Sequence, residues 1–160
     1  MNMSLTPQVI YQQLHAAFPD VELKFEEAVP CIVAPAKAIK DICLQLRDAD
    51  ALKFDTLMCL SGMDFADGNL GVVYHLHSMI HNHKLTIKVI VPKADPHVET
   101  VEKVWRAADW HEREAYDLVG VVFDNHRDLR RILCPYDWEG HPLQKDYEVP
   151  EFYNGMKVPY

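Results

Sequence analysis

Apolar residues recur along this chain with two different periods, and the change of period divides it. Val9, Ile10, Leu14 and Phe18 fall at helical spacing, so an amphipathic helix is predicted, opened by Thr6 and Pro7 and stopped by Pro19. Short strands are expected over 21–25 and 31–34. Pro35 then leads into a second helix whose Ile39, Ile42, Cys43 and Leu46 make one buried stripe. From residue 54 onward the pattern alternates, and strands are expected over 54–61, 71–80 and 85–91, with Asp67 and Asn69 marking the first turn. A two-residue turn at Asn82 and His83 sets Tyr74, Leu76, Ser78 and Ile80 opposite Val91, Val89, Ile87 and Leu85. The expected fold class is thus α/β of the α+β kind. A small antiparallel meander carries both helices on one face, and an extended C-terminal tail follows.

A brief helix is predicted over 98–105, and a better-marked one over 110–119. In the second, Asp109 is the expected N-cap, Glu112 completes a capping box and Gly120 stops the helix. Trp110, Arg113, Glu114 and Asp117 fall on one face, whereas His111, Ala115, Leu118 and Val119 fall on the other. The first face is expected to display its ions, with Arg113 and Asp117 paired across one turn. Beyond Gly120 come the apolar run 121–123 and a polar loop over 124–128. Prolines at 135, 142, 150 and 159 then interrupt any regular element. Tyr136, Trp138, Leu143, Tyr147, Phe152 and Tyr153 are too apolar for a solvated tail, so this segment is expected to dock along a surface. The boundary is placed between a compact domain over 1–125 and a partner-docking tail over 126–160.

Composition narrows the function classes. The chain has 160 residues, enough for one domain that buries roughly two-thirds of its unfolded surface. A net charge of -8 argues against nucleic acid and against an anionic membrane surface. Segment 109–125 holds five acids and one base, whereas 126–147 balances four of each, so tail contacts are expected to be specific ion pairs. The cysteines at 31, 43, 59 and 134 have neither CxxC nor ferredoxin-like spacing and read as reduced thiols of a cytosolic protein. With no apolar leader and no apolar run near 18 residues, neither secretion nor membrane spanning is expected, and any attachment comes through partners.

Three candidate chemistries fall short. His75, His77, His81 and His83 form two H-x-H pairs, a ligand-like spacing. In the expected register, however, His75 and His77 lie beside Ile90 and Lys88 on the face away from the core, and a neighbouring lysine disfavours a cation. No metal is expected there. The run HEREA at 111–115 lacks the second histidine of H-E-x-x-H, because position 115 is alanine. Acids at 109, 112, 114 and 117 have no evident nucleophile nearby, and no glycine-rich phosphate loop occurs. No catalytic residue is therefore assigned.

The run HEREAYDLVGVVFDNHRDLRRIL at 111–133, followed by PYDWEGHPLQKDY at 135–147, closely resembles the signature of the C subunit family of respiratory NADH-quinone oxidoreductase (complex I), also called the 30 kDa subunit family. Glu112, Arg113, Glu114, Asp117, His126, Arg130, Ile132 and Leu133 stand at the motif's positions. VVYHLHS at 72–78 and the pair Asp95 and Pro96 extend the resemblance more loosely. Val119, Cys134 and Gln144 depart mildly, from phenylalanine, an aliphatic and a basic residue respectively.

The resemblance implies a peripheral-arm subunit that carries no cofactor or metal of its own and scaffolds the quinone-reducing D subunit, with the B and I subunits as further neighbours. Iron-sulfur clusters, FMN and quinone would belong to partner subunits, and electrons would pass from NADH to quinone with proton translocation. The location implied is peripheral, on the cytoplasmic side of the inner membrane. Glu112, Arg113, Glu114, Asp117, His126, Arg130, Arg131, Trp138, His141 and Asp146 are the expected partner-interface residues. The alternatives are an equivalent subunit of a membrane-bound hydrogenase or ferredoxin-dependent quinone oxidoreductase and, from another class, a metal-dependent hydrolase using the histidine cluster.

Overall fold

The structure, a computed structural model, describes residues 4–158; Pro159 lies outside the described residues. Helix α1 (Pro7–Ala17) begins where the Thr6 hydroxyl accepts the Val9 N–H, and it buries Ile10 and Leu14. Strands β1 (Lys24–Glu26) and β2 (Cys31–Val33) pair antiparallel. Helix α2 (Ile39–Asp48) buries Ile39, Ile42, Cys43 and Leu46, the four residues of its apolar stripe. The meander follows as β3 (Thr56–Asp64), β4 (Asn69–Ser78) and β5 (His83–Pro92). Because β2 runs parallel to β5, the five strands are ordered β1-β2-β5-β4-β3 in one mixed sheet. Its inner face, with Ile32, Leu60, Val72, Tyr74, Leu76, Ile87 and Val89, shares a single core with the buried residues of both helices.

The expected β4–β5 register is corrected. Tyr74 pairs with Ile87 rather than Val91, and Ser78 with His83, because residues 79–82 form a longer turn with Asn82 at φ 54. The slip is even, so every side chain keeps its face; an odd slip would have turned the core outward. His75 and His77 accordingly lie beside Thr86 and Lys84, not Ile90 and Lys88.

The expected helix over 98–105 is also corrected. Strand β6 (His97–Glu99) instead pairs parallel with β7 (Val122–Asp124), and α3 (Ala108–Val119) connects the two. Asp109 is not the N-cap of α3; Ala107 holds that position without a side-chain bond, and Asp109 lies inside the first turn. Gly120 ends the helix at φ 88, a conformation that favours glycine. Helix α3 sits directly on β3, where a Cβ on Gly62 would lie 3.0–3.1 Å from Val119 and Ala115. The tail ends in a hairpin of β8 (Phe152–Tyr153) and β9 (Met156–Lys157). No helix among the described residues is long and apolar enough to cross a membrane.

Candidate functional site

The face of α3 expected to display ions is largely buried. Asp117 has no exposed surface, Glu112 has none, and Arg113 and Asp109 are buried beside them; Trp110 and Glu114 alone of the expected face stand clear. The expected Arg113–Asp117 pair is replaced by two other contacts. Arg113 lies 5.3 Å from the Trp110 ring centroid and donates through Nε to the Arg130 carbonyl at 3.3 Å. Asp117 turns instead to the tail.

There its carboxylate accepts the backbone N–H groups of Ile132 (3.0 Å), Leu133 (2.7 Å) and Cys134 (2.8 Å), and Arg131 Nη1 donates to it at 2.7 Å. Three consecutive N–H groups converging on one carboxylate fix the path of the chain as well as neutralising the charge. Burial pushes this carboxyl upward, but the bonds from Cys134, Arg131, Leu133 and Ile132 together outweigh it and hold the pKa at about 2. The Asp117 carbonyl also accepts from Arg131 and from His141 Nδ1 at 2.9 Å, while Arg131 Nη2 reaches the Gly140 carbonyl. Further along, the Leu143 N–H donates to the Leu118 carbonyl, Gln144 to the Val119 carbonyl and the Lys145 N–H to Asp64, and Lys93 meets Asp146 at 2.5 Å. The tail is thus a ribbon fastened to its own body along α3. At its far end Trp138 donates to the Tyr147 hydroxyl, and its ring lies 5.0 Å from that of Tyr153.

A second cluster, built on the first half of α3, was not foreseen. Glu102, Asp109 and His126 bring ligand-type atoms within 4.8 Å of one another. Glu112 adjoins them, accepting from Thr100 Oγ1 at 2.5 Å and from the Val101 N–H at 2.7 Å. Burial, the largest effect on Glu112, raises its pKa to about 8 despite those two bonds. The cluster already holds a cation, since Arg127 bonds Asp109 and lies 3.4 Å from Glu102. The Asp128 N–H donates to His126 Nδ1, which places the ring proton on Nε2, the nitrogen facing the carboxylates. A metal at Nε2 would need that nitrogen bare, so proton and guanidinium suit this cage better than a metal. Its sequence signal was faint: Glu102 lies among Val98, Val101, Val104 and Trp105, where an acid has little reason to stand without partners.

The histidine cluster is drawn into local structure. His83 Nε2 reaches the Leu52 carbonyl at 2.6 Å, His81 Nε2 the Asp50 carbonyl at 2.8 Å, His75 meets Thr86, and His77 meets Asn82. Of the residues singled out in the sequence, Glu112, Arg113, Asp117, His126, Arg131 and His141 bind within the chain. Glu114, Arg130 and Asp146 are less enclosed, and Trp138 is half-buried. Outside the ribbon stand Leu133, Leu143 and Tyr136, the last 93% exposed; the Trp110 ring, on α3, is exposed as well.

The model for the family "Respiratory-chain NADH dehydrogenase, 30 Kd subunit" matches residues 32–153. The NADH-quinone oxidoreductase C subunit of Chlorobium phaeobacteroides is 44% identical over 98% of this chain and 100% of its own length. The C subunit of Chloroherpeton thalassium is 55% identical over 74% of this chain, which spans only 50% of that relative. Among solved structures, the trypsin-resistant fragment (1-134) of Nqo5 is similar with a TM-score of 0.61 and 26% identity, covering 78% of this chain and 100% of its own. A chain of the membrane-bound sulfane sulfur reductase, an archaeal respiratory membrane complex, shares the fold, with a TM-score of 0.72 at 22% identity over 89% of this chain and 85% of its own.

Proposed function

The chain belongs to the respiratory-chain NADH dehydrogenase 30 kDa subunit family, and from that premise we propose that it is a peripheral, cofactor-free subunit of a proton-translocating NADH-quinone oxidoreductase. In this reading it scaffolds the quinone-reducing D subunit on the cytoplasmic side of the inner membrane, touching the B and I subunits as well, while flavin and iron-sulfur clusters stay in its partners. It contributes position rather than an active site.

One observation carries the reading. Asp117, fully buried, spends its carboxylate on the tail, so an aromatic ribbon is held in shape with Leu133, Tyr136 and Leu143 facing outward. Ordering a ribbon in advance lowers the entropic cost of docking it. Large apolar and aromatic side chains on such a surface are the usual anchors of a protein interface. The less enclosed members of the motif, Glu114, Arg130, Trp138 and Asp146, then touch the partner. Arg113, Asp117, His126, Arg131 and His141 act through the path they impose on the tail, and Glu112 through the segment before α3 that it fastens.

The test is purification of the tagged chain from gently solubilised membranes, with mass spectrometry of what accompanies it. The B and D subunits, recovered with quinone-reductase activity, are the expected result, and co-purifying NADH-binding subunits identify the donor. Recovery of the chain alone would sink the proposal. Charge reversal, Glu114→Lys, is expected to lower the yield of the D subunit without unfolding the chain.

A further inference from the structure

Strand β3 is the open edge of the five-stranded sheet. It is nine residues long, and among the described residues β4 is its one pairing partner. The opposite edge, β1, has three residues. Long edges invite pairing, and proteins commonly blunt them with lysine, proline or a covering segment. Strand β3, TLMCLSGMD, contains neither lysine nor proline. Its one charge, Asp64, is engaged by the N–H groups of Ala66 and Lys145 at the end of the strand. The single irregularity falls between Leu57 and Cys59, which leaves the run beyond it regular. Met58 and Met63 are 49% and 42% exposed.

The edge also borders a groove. A cavity of about 160 Å³ lies between β3 and α3, lined by Leu60, Gly62, Leu118 and Leu143 with Glu114 among the lining residues. That space suits one branched aliphatic side chain or a ring. An unpaired edge beside a helix, with a pocket between them, is the arrangement in which an extended peptide adds as a further strand.

We propose that β3 receives an extended segment of another subunit, which adds antiparallel or parallel as a sixth strand, seats an aliphatic side chain in the Leu60–Leu118–Leu143 pocket and sets a basic residue against Glu114. Charge selects this occupant over a second copy of the chain: self-pairing would bring together two bodies of net charge -8, each with Glu114 beside the groove. The inference rests on the assembly reading above and adds a location and a mode of contact to it.

Residue-resolved hydrogen exchange, on the full chain alone and on the complex purified through it, tests the proposal. In the isolated chain, alternate amides of 56–64, those not bonded to β4, exchange freely. In the complex the same amides are expected to slow by about tenfold or more. Co-purification of other subunits with unchanged exchange across 56–64 overturns strand addition and leaves the assembly reading intact. A chain that recovers no other subunit overturns the assembly reading itself. Slowing that appears in the isolated chain as its concentration rises assigns the edge to a second copy and overturns the proposed occupant.

Discussion

Two of the carboxylates that α3 buries, Asp117 and Glu112, lie within two turns of each other and end in opposite states. Asp117 meets three backbone N–H groups and a guanidinium, and its pKa is held at about 2. Glu112 meets one hydroxyl and one N–H beside two further acids, and burial raises its pKa to about 8. Neither has any exposed surface. Glu112 lies deeper than Asp117 and has fewer, uncharged donors, so depth of burial and the company a group keeps decide its charge state together.

The largest break in that comparison is Asp117→Ala. It strands Arg131 and three N–H groups, and a loss of about 3–5 kcal/mol is expected. Urea denaturation reads the loss, and limited proteolysis should show faster cleavage within 132–146; unchanged values for both would show that the tail is held by something else. Next comes pH. A raised carboxyl stabilises the fold fully below its ordinary value of 4.5 and loses that contribution as pH climbs toward about 8. Stability should therefore decline across that window by at most about 5 kcal/mol, and Glu112→Gln should flatten the decline. Asp117 has the opposite sign: its contribution is complete above 3.8 and disappears as pH falls toward about 2. A thermal melt series across pH separates the two limbs. The smallest effect belongs to Arg130→Ala. Its pair with Asp128 is exposed, so stability should move by less than about 0.5 kcal/mol. Retention of the D subunit is nevertheless expected to fall; full retention would remove Arg130 from the proposed interface.

The two carboxylates also mark how far sequence reading reaches. Helices α1 and α2 and the inner face of the meander were legible because each depends on a local period. The β4–β5 pairing was displaced but kept its faces, since the turn at 79–82 was longer than expected by an even count. Strand β6 was hidden: three residues pairing in parallel with a strand beyond α3 leave no local trace, and Val98, Val101 and Val104 imitate a helical stripe. The ions of α3 were placed outside for a related reason. Periodicity says that Asp117 and Arg113 share a face, but the donors that let Asp117 be buried lie at 131–134, in a segment no helical wheel contains. The motif is thus recognisable as a group of residues, while the interior bonds of Asp117 and His141 depend on the tail's path, and those of Glu112 on the segment at 100–101.

The missing Cβ at Gly62 has a mechanical meaning. With Val119 and Ala115 seated 3.0–3.1 Å from where that atom would stand, helix and sheet touch closely at this point, at the inner end of the groove, and contacts of this kind compress little. The tail is bolted to the same helix one turn away. A push on the ribbon therefore cannot be absorbed locally; it displaces the sheet as well. The molecule works as a stiff bracket, and a neighbour gripping either part would feel the position of both.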